Sequence, residues 1–336
     1  MRRALLISAV VAVLSLSGSA ATPHQIWFCP GPGTVDFRRL FEHPEEWRRA
    51  RDLVDVFKFY QQHTQATNPA FAPNTYQALV NANAFRMIKS WKKKLALEVG
   101  VVKDFYCDDA NGVQHAIDDT IASVRAVESA GGSVDFLTMD DPFASGRTTA
   151  CGGRALEPTV ERVAGWMRGV QGVVPMDRIG WIEAYPFNSA QEIESAWQML
   201  RDRGTPPAFL HMDVDLNAIR APASDFTRDI SRLRDFCRAQ NVRFGIIFWG
   251  NNADADVLYA LDAERLVNAT ASTFTNWDDM PEHLVVQSWA QTRSGLWITP
   301  SNLPEDKPFA HTTMLRDIYR RLRGQTGPAS GTAIRR

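Results

Sequence analysis

Acidic side chains near the ends of predicted strands are the feature of this sequence best suited to chemistry. Asp140, Glu183 and Asp213 each stand near the end of an otherwise apolar run. Charged side chains are rarely buried unless they are paired, so acids at such positions need a reason. If the three runs are neighbouring strands of one sheet, they deliver these carboxyl groups to one place. The sequence therefore predicts a catalytic carboxylate cluster of Asp140, Glu183 and Asp213.

Other polar and aromatic residues stand at or just after the ends of the predicted strands. Alternate residues of a barrel strand face the interior, and the last inward residues form the floor of the site. Some of the acids could instead pair with Lys58 or Lys103 or cap a following helix, and Asp141, which precedes Pro142, could be a turn residue. The predicted substrate-binding residues are Lys58, Tyr60, Glu98, Asp141, Tyr185, His211, Asp215, Trp249, Asn251, Gln287, Trp289 and Trp297.

Paired carboxyl groups suit cleavage of a glycosidic bond. One protonated carboxyl assists the leaving oxygen, while an ionised one acts as nucleophile or activates water. Acids packed together acquire different pKa values because like charges cannot all ionise easily. The hypothesis is that Glu183 is the general acid, Asp140 the nucleophile or base, and Asp213 a supporting or alternative acid. Lys58, His211 and Gln287 would bind substrate or tune charge.

Aromatic side chains supply a second requirement of carbohydrate binding, a flat apolar face on which a sugar ring can stack. Trp289 and Trp297 are the favoured candidates, whereas core packing explains Trp181 equally well.

The elements that position these residues are short apolar runs alternating with segments of helical period. Strands are predicted at 25–29, 54–60, 95–102, 134–140, 178–184, 209–215, 243–249 and 284–289. Helices are predicted at 45–51, 75–92, 113–130, 157–170, 190–203, 224–240, 255–269 and 312–323. Eight such units predict a single (β/α)8 TIM barrel covering 22–324. An open doubly wound sheet is the competing fold, but PGPG at 30–33 does not match the dinucleotide-binding fingerprint.

Bulk composition limits the classes of partner. The 336 residues are 45% hydrophobic and 22% charged, as in ordinary soluble proteins, and the formal net charge is -1. Without a basic field, nucleic acid is not an expected partner, and the expected partner is a carbohydrate substrate. The sequence gives no reason to expect a cofactor or a membrane association after signal cleavage.

Both termini differ from the barrel segment. Two arginines, an apolar stretch and small residues predict a cleaved signal peptide over 1–21, hence a secreted or periplasmic protein. The tail 325–336 is predicted to be disordered. Export permits disulfides, and a bridge between Cys107 and Cys151 is expected because both follow predicted strands at the barrel mouth. Cys29 and Cys237 are expected to be core residues.

The chain resembles the barrel-fold glycoside hydrolases along almost its whole mature length. The resemblance rests on MDDP at 139–142, WIEAY at 181–185, HMDVD at 211–215 and QSW at 287–289. It implies catalytic acids on strands 4 and 6 or on strands 4 and 5, matching Asp140 with Asp213 or with Glu183. The sequence departs from the largest clan, which carries Asn-Glu after strand 4 and Glu on strand 7.

Two other functions fit parts of the pattern. Glu98, Glu183, His211, Asp213 and Gln287 could together bind a divalent metal, as in barrel isomerases and enzymes that cleave phosphoesters. The missing Glu on strand 7 leaves open a barrel that binds carbohydrate without cleaving it.

Overall fold

The computed structural model describes residues 24–153, 155–220 and 225–324, and its centre is a closed barrel of eight parallel strands. Each strand pairs with the next along the chain, and the eighth pairs with the first. The strands are β1 (Gln25–Cys29), β2 (Val56–Tyr60), β3 (Lys94–Val99), β4 (Phe136–Met139), β5 (Ile179–Tyr185), β6 (Phe209–Val214), β7 (Arg243–Phe248) and β8 (His283–Gln287). The predicted single (β/α)8 barrel is confirmed.

Helices follow the strands and cover the outside of the barrel. They are α1 (Arg39–Glu42), α2 (Arg48–Leu53), α3 (Tyr76–Asn81), α4 (Ala84–Ser90), α5 (Asp104–Cys107), α6 (Gly112–Ser129), α7 (Pro142–Gly146), α8 (Leu156–Val170), α9 (Ala190–Asp202), α10 (Phe226–Ala239), α11 (Asp256–Thr273) and α12 (His311–Leu322). Short 3-10 turns lie at Pro44–Trp47, Gln61–Thr64, Met176–Arg178, Ala218–Arg220 and Trp277–Asp279.

Two apolar layers hold the barrel together, one between strands and helices and one inside the barrel. The inner layer consists of side chains from alternate strand positions, including Trp27, Phe136, Phe209, Ile247 and Val285, and each is at least nine-tenths buried. Burying such large apolar side chains is the main favourable term in folding. The inner layer also identifies which face of every strand looks inward, and that decides which polar residues reach the mouth.

The helix predicted at 75–92 is interrupted in the structure. Asn83 has a φ of 55°, a left-handed conformation that ends α3 and lets α4 begin in a new direction. Asparagine is among the few non-glycine residues that adopt this conformation readily. A single Asn inside an otherwise periodic segment was too weak a signal to predict the break.

A disulfide joins Cys107 to Cys151, as expected, with Cα atoms 4.9 Å apart. It ties α5, in the loop after β3, to the loop that leads from α7 to α8. Cys29 and Cys237 are buried free thiols, also as expected. Among the described residues no helix is long and apolar enough to cross a membrane. The predicted signal peptide and the predicted disordered tail lie outside the described residues.

Candidate active site at the barrel mouth

Strand register shows which predicted site residues share the mouth. Tyr60 lies opposite Glu98, and Asp213 lies opposite Ala184, so these positions point to the same side of the sheet. Two residues earlier on β6, His211 lies opposite Ile182 of the inner layer. The inward direction predicted for strands 2, 3, 4, 6 and 8 is confirmed, because residues two or four positions before the predicted ones belong to the inner layer: Val56, Ala96, Phe136, Phe209 and Val285. Strand 5 has the opposite direction from the predicted one, because Ile182 and Ala184 face inward.

Glu183 consequently faces the helical layer and not the mouth, and its assignment as the proton donor is corrected. Its fully buried carboxylate accepts hydrogen bonds from the backbone N–H groups of Phe143 and Ala144 at 3.2 and 2.8 Å. The Trp181 indole and the Asn188 amide donate to it at 2.8 and 2.7 Å. Burial raises the pKa of Glu183, the four hydrogen-bond donors oppose that shift, and the net pKa is about 7. The residue anchors the first turn of α7 to β5.

Tyr185 shares this outward face, so its predicted contact with substrate is also corrected. Its hydroxyl donates to Asp229 Oδ2 on α10 at 2.8 Å, and its ring is buried in the outer apolar layer. The prediction failed because Trp, Glu and Tyr alternate with Ile and Ala on this strand. The larger side chains lie against the helices, where there is room, while the smaller ones fit the crowded interior.

A buried ion pair forms the floor of the mouth. Lys58 Nζ donates to Glu98 Oε2, and Gln287 Nε2 donates to the same oxygen at 3.1 Å. Gln287 Nε2 also donates to the Tyr60 hydroxyl at 3.0 Å, which in turn donates to the Ser288 carbonyl at 2.8 Å. Burial raises the pKa of Glu98, and Lys58 and these hydrogen bonds oppose that shift. The floor thus links β2, β3 and β8 through charged and neutral hydrogen bonds.

Asp140 stands above this floor at the end of β4 and is paired with Lys103. Lys103 Nζ lies 2.6 Å from Asp140 Oδ2, and the Asp140 side chain keeps 33% of its surface exposed. Burial lowers the pKa of Lys103, but the Asp140 charge and hydrogen bond outweigh it and raise the pKa overall. Asp140 is therefore a solvent-reachable carboxyl group held in an ion pair with Lys103.

Asp213 lies on β6 in a different environment. The residue is only 9% exposed, and its Oδ1 has no hydrogen-bond partner among the described residues. Burial, with the charges of Glu98 and Asp140, raises its pKa to about 8, although Lys58 and the Trp249 indole lower it. Asp213 is accordingly a carboxylic acid that keeps its proton at neutral pH.

Asp141 is a third carboxyl group at the same strand end. Its backbone has a φ of 42°, the left-handed conformation that an L-residue adopts only at a cost. Its Oδ1 is buried and has no hydrogen-bond partner in the described part of the chain. Burial and the neighbouring charges of Asp140, Asp213 and Glu183 raise its pKa well above the usual value. Although Asp141 occupies the N-cap position of α7, its side chain does not form the capping hydrogen bond.

His211 lies deeper in the barrel than predicted, which removes it from contact with substrate. Its Nε2 is 2.8 Å from Nδ1 of His283, and both rings are buried against Trp27. Burial lowers the pKa of both histidines well below the usual value, so the pair is neutral. A Cβ added at Gly245 would come within 2.6 Å of the His211 ring, so glycine makes room for this pair. Sequence reasoning missed His283, which falls within an apolar strand.

The positions of His211 and Glu183 also bear on the predicted metal site. With one residue facing the helices and the other paired below the floor, the five predicted ligands do not surround one point. In the ranges that the structure describes, no group of three or more His, Cys, Asp or Glu residues has an arrangement that could hold a metal ion.

Aromatic side chains border the mouth on the side of β7 and β8. The rings of Trp249 and Trp289 lie 4.4 Å apart, and Trp289 is 38% exposed. Trp297, in the loop after β8, packs edge-on against Phe71 with ring centroids 5.4 Å apart. Phe71 in turn packs against Tyr60, at 5.6 Å. The exposed face of Trp289 and the partly exposed Trp297 are suited to contact with a ligand.

Asp215 and Asn251 lie on the rim, where they hold each other in place. Asn251 Nδ2 donates to Asp215 Oδ1 at 2.9 Å, and that oxygen also accepts the backbone N–H of Asn217 at 2.8 Å. Asp215 thus has a structural role in its own turn.

Lys103 is the site residue that the list of predicted binding residues omits, although the sequence indicates it as an ion-pair partner. The signal was present, because Lys103 follows β3 at the same end of the barrel.

Comparison with known proteins gives information on the fold alone. No family model matches the chain, and no curated protein matches its sequence. Among solved structures, a glucosidase from Croceicoccus marinus superposes with a TM-score of 0.52 and 13% identity, covering 90% of this chain and 68% of that one.

Two further solved structures superpose less closely. They are SacUVDE, with a TM-score of 0.48, 10% identity and coverage of 88% and 99%, and a variant of NCR from Zymomonas mobilis, with a TM-score of 0.42, 15% identity and coverage of 66% and 74%. At 13% identity, the similarity to the glucosidase supports the architecture and not the chemistry. The chain is a (β/α)8 barrel similar in fold to a glucosidase.

Proposed function

We propose that this protein is a glycoside hydrolase that cleaves a poly- or oligosaccharide at the mouth of the barrel. The observation that carries the proposal is the contrast between Asp140 and Asp213, which face the same mouth. One is partly exposed and paired with an ammonium group, whereas the other is buried with a pKa of about 8. Glycosidic cleavage needs one ionised and one protonated carboxyl group flanking the bond.

In this proposal, Asp213 is the general acid. It carries a proton at neutral pH and donates it to the glycosidic oxygen as the bond to the leaving sugar breaks. Asp140 is the nucleophile or the base that activates water, and its ion pair with Lys103 orients it.

Asp141 supports the same chemistry through its raised pKa. The shift favours the neutral form of Asp141, which limits the negative charge that electron-rich sugar oxygens meet at this strand end. A protonated carboxyl group can both donate and accept hydrogen bonds, which suits a sugar hydroxyl. Trp289 and Trp297 would provide the apolar faces against which sugar rings pack.

Export of the protein is part of the proposal. The predicted signal peptide over 1–21 supports a secreted or periplasmic location, and the Cys107–Cys151 disulfide is compatible with it because disulfides persist in oxidising compartments. Polysaccharides are substrates that an exported hydrolase meets.

The proposal is tested by incubating the mature protein with a panel of plant, bacterial and algal polysaccharides and analysing the products by mass spectrometry. The Asp140→Asn variant should lose about 10²- to 10⁴-fold in kcat on whichever polysaccharide is cleaved. Asp177→Asn is the matched control, because Asp177 is exposed and precedes β5 at the opposite end of the barrel. Binding of a polysaccharide without turnover would replace the hydrolase with a carbohydrate-binding barrel.

A further inference from the structure

A polar hollow lies beside the mouth, and the catalytic proposal assigns it no role. Its volume is about 400 Å³, within the range typical of small-molecule sites. It is bordered by loops that follow β6, β7 and β8, so it lies at the same end of the barrel as the carboxyl groups of the mouth. Its lining includes Asn217, Asn252, Asp254, Gln291 and Arg293.

The hollow adjoins the aromatic side of the mouth. Ala253, which lines it, belongs to the same buried apolar cluster as Trp249. Asn251, which also lines it, donates to Asp215 on the rim of the mouth. Gln291 follows Trp289 by two residues. A chain of sugar rings leaving the mouth past Trp289 would therefore reach the hollow.

The polar groups of the hollow are held in place by the protein. Asp262 Oδ2 accepts the backbone N–H groups of Asn251 and Asn252 at 3.0 and 3.1 Å. Asp254 accepts both the backbone N–H of Arg293 and its side chain, each at 2.8 Å. This arrangement fixes the two loops relative to each other while the Arg293 side chain stays 90% exposed. Preorganised groups of this kind lower the entropic cost of binding a ligand.

The chemistry of the lining selects the class of ligand. Amide side chains and an exposed guanidinium offer donors, while amide oxygens offer acceptors. The charge of Arg293 is compensated by Asp254, and that of Asp262 by Arg265, whose guanidinium lies 3.0 Å from Asp262 Oδ1. Such a surface suits an uncharged, hydroxyl-rich ring and disfavours sugars that carry carboxylate or sulfate groups.

We infer that this hollow is a second sugar-binding position, which recognises an uncharged ring of the substrate away from the bond that is cleaved. The inference rests on the proposed function and deepens it, because it makes the substrate an oligo- or polysaccharide of neutral sugars. Gln291 and Arg293 determine recognition at this position.

The test compares tetrasaccharides with single-ring substrates. The tetrasaccharides are cellotetraose, maltotetraose and tetra-N-acetylchitotetraose, and each is compared with the p-nitrophenyl glycoside of its sugar. We expect Gln291→Ala and Arg293→Gln to lower the ratio of kcat/KM on the cleaved tetrasaccharide to that on the aryl glycoside by about 3- to 30-fold. Gln171→Ala is the matched control, since Gln171 is exposed just after α8. An unchanged ratio in both variants would overturn the inference and leave the hydrolase proposal standing.

A binding measurement separates the two proposals if no hydrolysis is found. Calorimetric titration with the same tetrasaccharides and with tetragalacturonate should show binding of a neutral one, weaker by a similar factor in Gln291→Ala. That result would support the hollow and reject the hydrolase. The inference is overturned if no neutral tetrasaccharide binds, if Gln291→Ala leaves binding unchanged, or if tetragalacturonate binds as tightly.

Discussion

The replacement Asp213→Asn changes stability in a way that depends on pH, and this follows directly from the environment of Asp213. Its pKa of about 8 in the folded protein is far above the ~3.9 of an unfolded chain. The folded state therefore holds a proton that the unfolded state releases as the pH rises between these values. The wild-type protein loses stability as the pH rises over that interval, because the folded state binds more protons there than the unfolded state.

The magnitude follows from proton linkage. A group that is protonated when folded and ionised when unfolded changes the free energy of unfolding by about 1.4 kcal/mol per pH unit. Asparagine has the shape of the protonated acid but cannot ionise, so this contribution is absent from the variant. The stability of Asp213→Asn relative to wild type should therefore rise by about 3 kcal/mol between pH 5 and pH 7.

The assay is urea unfolding of both proteins at pH 5, 6 and 7, followed by the fluorescence of the ten tryptophans. Asp177→Asn makes the same chemical change at an exposed position, and its stability relative to wild type should stay nearly constant over this range. A difference between Asp213→Asn and wild type that is the same at pH 5 and pH 7 would refute the assigned protonation of Asp213.

Three other substitutions test the structural roles assigned above. Glu183→Gln should lower the free energy of unfolding by about 3 kcal/mol in urea titrations, because its amide would face N–H donors, yet kcat of the folded variant should stay within a few-fold of wild type. Lys58→Met should cost about 3–5 kcal/mol by leaving the buried Glu98 charge without its partner, and the double variant Lys58→Met/Glu98→Leu should recover a large part of that. Cys107→Ser should cost about 4 kcal/mol, read from thermal unfolding, because it opens a loop with a sequence separation of 44. A kcat loss above 100-fold in Glu183→Gln would contradict the structural role of Glu183. No recovery in the double variant would contradict the buried ion pair of Lys58 and Glu98. An unchanged melting temperature in Cys107→Ser would contradict the stabilising role of the disulfide.

The barrel was predictable from the sequence because its signals are local. Each strand is a short apolar run, each helix has its own period, and their alternation allows few folds. The two cysteines that follow strands could be paired for the same reason. Apart from β1, whose bounds agree, strand bounds differ by up to three residues, since the polar residues at strand ends already belong to loops.

Facing direction was harder to predict where both faces of a strand are buried. On β6 the polar residues His211 and Asp213 mark one face, and Asp215 follows directly after the strand. The predicted facing direction of β6 was therefore right. On β5 every residue but Ala184 is fully buried, and Glu183 is satisfied by hydrogen bonds from other loops. Two of those donors, the backbone N–H groups of Phe143 and Ala144, lie about 40 residues away, and no spacing along the chain indicates them. The His211–His283 pair was missed for the same reason, because its members lie on β6 and β8, which only the folded barrel places on either side of Gly245 on β7.

The division of roles between Asp213 and Asp140 is tested most directly by varying the leaving group. In the step that breaks the glycosidic bond, a general acid is needed only when the departing oxygen is basic, whereas a nucleophile or base is needed for every substrate. On the glycoside that the protein cleaves, Asp213→Asn should lose kcat/KM, which reports this step, toward the natural linkage and retain most of it toward the 2,4-dinitrophenyl derivative. Asp140→Asn should lose activity toward both. Equal losses on the two substrates in Asp213→Asn, or full activity in Asp140→Asn, would contradict the account.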